Sequence, residues 1–421
     1  GRCVLSTRSA TPSLAMAPDG AARGTILGSI ALLVKSTIGA GILAIPGAFV
    51  RTGYLGGPLL LAAIAVVMFG SMQVLERATV KGSGGQVYHG IVKEHLGDTA
   101  GMLAEFTVAV YQLLTCCSFI VIIGDAFEPA ALAVLPETAA DFSRCLAMLV
   151  FSLPGFLLCF YPRLAQLSCW MVFGVCVVTV IAMVIVGSFL EAQKLSETVE
   201  AWPKEWPAAG ESAATFAFAL QAHITAPRVF SELSDELHRA SWVITSASSL
   251  FVITLYSFVG SCGYRLFGNE TRGNIILDYK HSAVWYVLSG FNGVQAVFGY
   301  ALNHYMARSA LYDVLLRLTV LPVPKNEGGS LEPMLASPQH EIPQPARARL
   351  TVFVYLAALF VASIFGDLGK LSSFIGATAG SLVIFIFPGF LSWKLIDKAV
   401  AALLWFAGSL CFFFGVNGLL S

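Results

Sequence analysis

Charged side chains are scarce in this 421-residue chain. Only 12% of residues are Asp, Glu, Lys or Arg, and 57% are hydrophobic; a soluble domain carries roughly 25% charged residues. No soluble core of this size needs so little polar surface, so the solvent around most of the chain is lipid. The 25 basic residues are balanced by 25 acidic ones, which leaves no cationic surface for a nucleic acid. Cysteine spacing is uninformative in a useful way: there is no C-x-x-C pair and no metal pattern. Cys116, Cys117, Cys159, Cys169, Cys176, Cys262 and Cys411 all fall within apolar runs and read as small apolar fillers. Neither H-E-x-x-H nor G-x-S-x-G occurs, no acids are paired inside an apolar run, and Lys81-Gly82-Ser83-Gly84-Gly85 lacks phosphate-loop spacing. These absences argue against an intramembrane enzyme. They also give no reason to expect a metal or any cofactor.

What is present is a series of long apolar runs, each close to the 20 or so residues that cross a bilayer. They fall at 25–50, 55–75, 102–124, 145–161, 167–190, 212–230, 242–264, 283–306, 350–365, 371–392 and 399–417. The expectation is an all-α integral membrane protein of eleven spans. Residues 1–24, with Arg2, Arg8 and Arg23 against Asp19, lack the apolar core of a secretory signal and read as a disordered cytosolic tail. Residues 25–421 read as one membrane domain, interrupted by a Pro/Gly-rich polar loop at 318–348. With the N-terminus inside, sixteen Lys and Arg residues fall on inner segments and eight on outer ones; this bias predicts a cytosolic N-terminus. Plasma membrane and vacuolar or lysosomal-type endomembrane both fit, and a monomer is expected.

Two of the runs are interrupted where a span should be regular. In the first, Ser36-Thr37-Ile38-Gly39-Ala40-Gly41-Ile42-Leu43-Ala44-Ile45-Pro46 places two glycines and a proline near mid-membrane. Backbone released there must be buried in protein or line a polar cavity, and transporters hold substrate and ions on such breaks. A glycine-rich packing face is the plain alternative. In the sixth run, Phe218-Ala219-Leu220-Gln221-Ala222-His223-Ile224-Thr225-Ala226-Pro227 sets Gln221, His223 and Thr225 among apolar residues. Paired interruptions in two halves of a chain point to a transport site; His223 alone fits a helix–helix contact equally well. Lys35 sits ten residues into the first span, roughly 15 Å from Thr25 at about 1.5 Å per residue. An ionisable residue at that depth defaults to function, and its i,i+4 relation to Gly39 puts it on the face of the break. Glu105, about one turn into the third span, is the second ionisable candidate.

These pieces resemble the amino acid/auxin permease family of amino-acid transporters. The matching residues are Gly39, Gly41, Leu43 and Pro46 with Thr52-Gly53-Tyr54, then Phe218 to His223 with Phe230-Ser231-Glu232-Leu233. Further matches are Tyr264-Arg265-Leu266-Phe267-Gly268 with Ile275-Ile276-Leu277-Asp278-Tyr279, and Ile364 to Gly369 with the run 374–381. They cover 25–392 in family order. The resemblance implies an inverted five-plus-five repeat plus one span, as in the bacterial leucine transporter fold, and secondary active transport of small amino acids by alternating access. It also implies that the substrate meets Thr37, Gly39, Ala40 and Gly41, with Phe218, Gln221 and His223 facing it. The sodium-coupled neutral branch looks to have Asn where this chain has Lys35, whereas the proton-coupled branch resembles it there. Proton coupling through Lys35 and Glu105 is therefore expected. The alternatives are a sodium-coupled neutral amino-acid transporter and a sensor that binds an amino acid without moving it.

Overall fold

The computed structural model describes residues 25–82, 87–135, 142–160, 168–279, 282–318 and 342–420. Every regular element among them is helical. The tail 1–24 and most of the loop expected at 318–348 lie outside the described residues. Among the described residues seven helices are long and apolar enough to cross a membrane, and one bent pair passes the same test when taken together. Their outward faces carry Leu59, Val66, Leu103, Phe106, Met183, Phe258, Phe353, Phe360 and Phe406, all about half exposed or more. Such a surface suits hydrocarbon, in which each helix satisfies its own backbone.

The bent pair is the first interrupted run. Helix α1 (Ile26–Thr37) starts at Thr25, whose hydroxyl accepts from Gly28 N at 3.1 Å, and stops where Ile38 turns to extended backbone. After Gly39 and Ala40 the chain resumes as α2 (Gly41–Thr52), bent by 63° from α1. Helix α3 (Gly56–Lys81) follows, then the short α4 (Tyr88–Leu96) and the long α5 (Asp98–Leu132). The fourth run gives α6 (Ser143–Leu158), shorter than a full crossing, and the fifth gives α7 (Ser168–Glu191). The sixth run is the second interruption: six residues separate α8 (Trp206–Ala219) from α9 (Ala226–Ser231), which leads through α10 (Asp235–His238) into α11 (Ser241–Phe267). The remainder comprises α12 (Ala283–Arg317), α13 (Gln344–Phe365), α14 (Leu368–Ile375), α15 (Phe387–Leu395) and α16 (Lys398–Leu420). The expected loop 318–348 is thus corrected at its end. Pro345 lies in the first turn of α13, where a proline costs no hydrogen bond, so helix begins at Gln344.

Between α14 and α15 the chain forms two π-turns, Gly376–Gly380 and Leu382–Ile386. The first presses so closely on α8 that a Cβ on Gly376 would lie 1.8 Å from Ala214 O. The second accepts a tie from α4, whose Tyr88 hydroxyl donates to Val383 O at 2.7 Å. Helix α4 is further held as His95 Nε2 donates to Ala78 O (2.8 Å) and Lys394 donates to His95 O.

On the side of the molecule opposite residue 25, the segment 268–279 folds over the helix ends as two 3₁₀ turns, Gly268–Glu270 and Ile275–Tyr279. It is pressed on α2, since a Cβ on Gly47 would stand 2.6 Å from Arg272 O. Asn274 Nδ2 donates to Asp125 Oδ2 at 2.9 Å, while Arg144 Nη2 sits 2.5 Å from Asp125 Oδ1. One carboxylate therefore joins α5, α6 and the covering segment. Cys145 and Cys262 are free thiols.

Asp278, within that segment, has its carboxyl raised to about 6 by burial, against the opposing pull of the Arg272 amide and guanidinium. A carboxyl whose folded pKa lies above its unfolded value contributes stability below the unfolded pKa and loses it as pH rises through the folded one. Thermal stability in detergent should accordingly fall in part between the ordinary aspartate value of 3.8 and about 6. Asp278→Asn should lack that part of the decline and melt higher than the parent at neutral pH. An unchanged pH profile in the variant would show that ionising Asp278 carries no such penalty.

Candidate functional site

The two interrupted helices meet. Gly41 packs on the last residue of α8: a Cβ there would lie 2.6 Å from Ala219 Cα and 2.8 Å from Ala219 Cβ. Gly39 differs, because a Cβ at that position would find no atom within 4 Å; it borders open space. Tyr256 of α11 ties the two breaks together, its buried hydroxyl lying 3.1 Å from Thr37 O and 3.3 Å from Ala219 O. Carbonyls released at the ends of α1 and α8 thereby find a partner inside the protein, as burial demands. The first amides of α2 receive no side-chain cap. The positive end of that helix's dipole therefore faces the break.

Beside the break lies a cavity of about 670 Å³. Lys35, Ser36, Thr37, Gly39, Ala40 and Gly41 line it from the first interruption, and Phe218, Ala219, Gln221 and Thr225 from the second. Helix α5 supplies Tyr111, Gln112, Thr115 and Phe119, and α12 supplies Gln295, Gly299, Asn303 and Met306. The Tyr111 and Phe218 rings lie 6.2 Å apart in a tilted pair. Gln221 is nine-tenths buried, and its Nε2 has no hydrogen-bond partner. The cavity reaches the surface on the side of residue 25, where Leu32, Arg228 and Glu232 are exposed; Arg228 Nε is 3.5 Å from Glu232 Oε1. No residue of the segment 268–279 is among its lining.

Of the nine residues expected at the site, seven line this cavity: Lys35, Thr37, Gly39, Ala40, Gly41, Phe218 and Gln221. Two do not. His223 is directed behind the break, toward α3, with Nε2 2.6 Å from Ser71 Oγ, so its expected position facing the cavity is corrected. The chain between α8 and α9 is a series of turns, not helix, and a helical projection from Gln221 fails there. Glu105 is fully buried near the N-terminal-side end of α5, with Oε2 2.9 Å from Arg317 Nε and Oε1 3.4 Å from His89 Nε2. It joins α4, α5 and α12 and does not share a cavity wall with Lys35. Sequence reasoning missed Tyr256, Gln112 and the α12 face. Gln295, Gly299 and Asn303 recur at four-residue spacing in an apolar run, a signal that was available. Tyr256 carried none, because one tyrosine in an apolar helix has no period to detect.

This constellation is that of a membrane transport protein, a bundle of apolar helices with a central cavity built on two broken ones. The chain belongs to the transmembrane amino acid transporter protein family, whose model matches residues 22–421. Among its relatives, sodium-coupled neutral amino acid transporter 7 of Xenopus laevis is 27% identical over 395 residues, 90% of this chain and 83% of that one. The human protein of the same name is 26% identical over 391 residues, 88% and 80% of the two chains. Solute carrier family 38 member 8 of Mus musculus is 26% identical over 377 residues, covering 86% and 83%. The family resemblance drawn from the motifs is thereby established, and the relatives are transporters.

The contrast between the two glycines is testable. Overpacking a close helix contact costs about 1–3 kcal/mol, so Gly41→Val should lower the melting temperature in detergent and abolish uptake. Gly39→Ala should melt like the parent yet reduce uptake, its methyl entering the cavity. Equal melting of parent and Gly41→Val would contradict the close approach to Ala219.

Proposed function

We propose that this protein is a secondary active transporter that moves small neutral amino acids by alternating access through the cavity at the two breaks. The observation that carries the reading is the meeting of both interrupted helices on one cavity, as transport sites are built. On this reading the substrate carboxylate lies against the uncapped amides at the start of α2, which favour an anion. Gln221, with its unpartnered Nε2, orients the substrate, and the Tyr111 and Phe218 rings bound its side chain. The cavity opens toward the side of residue 25, where its exposed lining residues Leu32, Arg228 and Glu232 lie, and an opening to one side is one of the two end states the cycle requires.

The topology proposed with it has eleven spans: α1–α2, α3, α5, α6, α7, α8–α9, α11, α12, α13, α14–α15 and α16. The two broken pairs then stand first in two halves of five, as an inverted repeat places them, with the N-terminus in the cytosol of a plasma-membrane or endomembrane transporter.

Coupling is to protons, with Lys35 in the place of a sodium ion. Two unit charges about 4 Å apart repel by roughly 4 kcal/mol at an effective dielectric near 20. A charged Lys35 on the cavity wall would keep sodium from an adjacent site. Among the described residues no carboxylate forms an ion pair with it, and Glu232, the acid nearest the cavity mouth, pairs with Arg228. A second reading, sodium coupling, is favoured by the names of the relatives, two of which are called sodium-coupled neutral amino acid transporters.

Proteoliposome uptake separates the readings. Replacing sodium with choline should leave uptake unchanged, and an inward proton gradient should raise it. Lys35→Ala should abolish the proton dependence, and Lys35→Arg should not restore it, because a guanidinium does not release its proton. Collapse of uptake in choline would establish sodium coupling instead. Binding of amino acids without flux would leave a sensor.

A further inference from the structure

Behind the break, on the face away from the large cavity, lies a small void of about 30 Å³. Its walls include Leu33 and Thr37 of α1, Ala65 and Met68 of α3, His223, and Thr245 and Ser248 of α11. Thr37 also lines the large cavity, so the two spaces share that residue as a wall. A water needs roughly 10–15 Å³ of such space and two or more polar partners.

The hydrogen bonds around the void determine what it can hold. Ser71 Oγ donates its only proton to Met68 O at 2.8 Å. That hydroxyl has one proton for two neighbours; with it on the Met68 carbonyl, His223 Nε2, 2.6 Å from the same oxygen, is the donor. A neutral ring protonated at Nε2 presents a lone pair at Nδ1, and Nδ1 is buried with no partner. The hydroxyls are committed likewise. Thr37 Oγ1 donates to Leu33 O (2.8 Å), Ser248 Oγ to Ile244 O (2.7 Å) and Thr245 Oγ1 to Ser241 O (3.0 Å). Thr245 Oγ1 already accepts from Gln73 Nε2 at 2.6 Å, so Thr37, Ser248 and His223 Nδ1 are the assigned wall groups that keep their acceptor capacity, and a guest that donates is the complement.

We propose that this void is a hydration site, and that its water, donating to His223 Nδ1, is the path by which His223 exchanges protons with the cavity past Thr37. A proton brought by a hydronium in the cavity passes through the water to Nδ1, leaving a neutral water and an imidazolium; release reverses both transfers. Charged groups on the surrounding elements do not compete. Lys35 of α1 faces the large cavity, Glu76 of α3 lies 3.1 Å from His238 of α10, and Arg228 and Glu232 of α9 pair with each other. On α11 the Tyr256 hydroxyl is held by Thr37 O and Ala219 O, and on α8 Glu211 pairs with Arg51. The use of this proton rests on the transport reading above; the tautomer and the water contact do not.

The test has two arms. Nitrogen-15 NMR of histidine-labelled protein in lipid bilayers, with His223→Gln to assign the resonance, should show a neutral ring protonated at Nε2 whose Nδ1 exchanges magnetisation with water. A ring protonated at Nδ1, or no transfer from water, overturns the proposal whether or not the protein transports. In proteoliposomes, the ratio of uptake at about pH 5.5 to that at about pH 7.5, two points within the range over which histidine switches operate, should fall toward one in His223→Gln. It should fall likewise in Ala65→Val, which fills the void without touching the ring's nitrogens. A pH ratio retained in His223→Gln removes His223 as the exchanging group. A ratio retained in Ala65→Val alone removes the water path. If the parent moves no amino acid at all, the transport reading fails and the NMR arm still decides this one.

Discussion

Backbone that leaves a helix inside a hydrocarbon layer has no water to turn to, so it persists only where other parts of the protein hold its freed groups. Here the holding is concentrated on one side chain and one contact. The Tyr256 hydroxyl reaches the carbonyls at the ends of α1 and α8 together, and Gly41 lets α2 rest on Ala219 at backbone distance. The cavity, the direction of Gln221 and the uncapped start of α2 all depend on that junction. Without it the two interruptions would be separate defects in separate helices.

Two further groups of charged side chains are held together across helices. Those on the side opposite residue 25 converge on Asp125, which Arg144 and Asn274 join to the covering segment. Those near the other face converge on Glu105, met by Arg317 and His89. Between these clusters the described helices hold few charges, and Lys35 is the cation on the cavity wall near the break. An ionic side chain at membrane depth is either paired or functional. The two clusters fall in the first class, whereas Lys35 lines the cavity and forms no ion pair among the described residues.

Much of this was legible in the residues alone. Scarcity of charge identified the solvent, and apolar runs near 20 residues placed the helices, because both reflect transfer of each residue into lipid, independent of its neighbours. The breaks were visible because glycine and proline interrupt a helix locally. Seven of the nine expected site residues line the cavity for the same reason: they lie on or next to the breaks. Glu105 and His223 were misplaced because their positions depend on other elements. Helix α12 brings Arg317 to Glu105, and α3 brings Ser71 to His223.

What the sequence by itself determined is therefore the membrane environment, the order of the helices, the two points at which they break and, through motifs spread over 25–392, the family. Each is a property of a local window, where hydrophobicity, length and backbone freedom act residue by residue. Only the tertiary structure decided that the breaks face one another, that Gly39 borders space while Gly41 is a contact, and that His223 faces a void behind the site. Those outcomes depend on which helix lies next to which. That choice is made by packing between residues hundreds of positions apart, and it leaves no periodic trace in the chain.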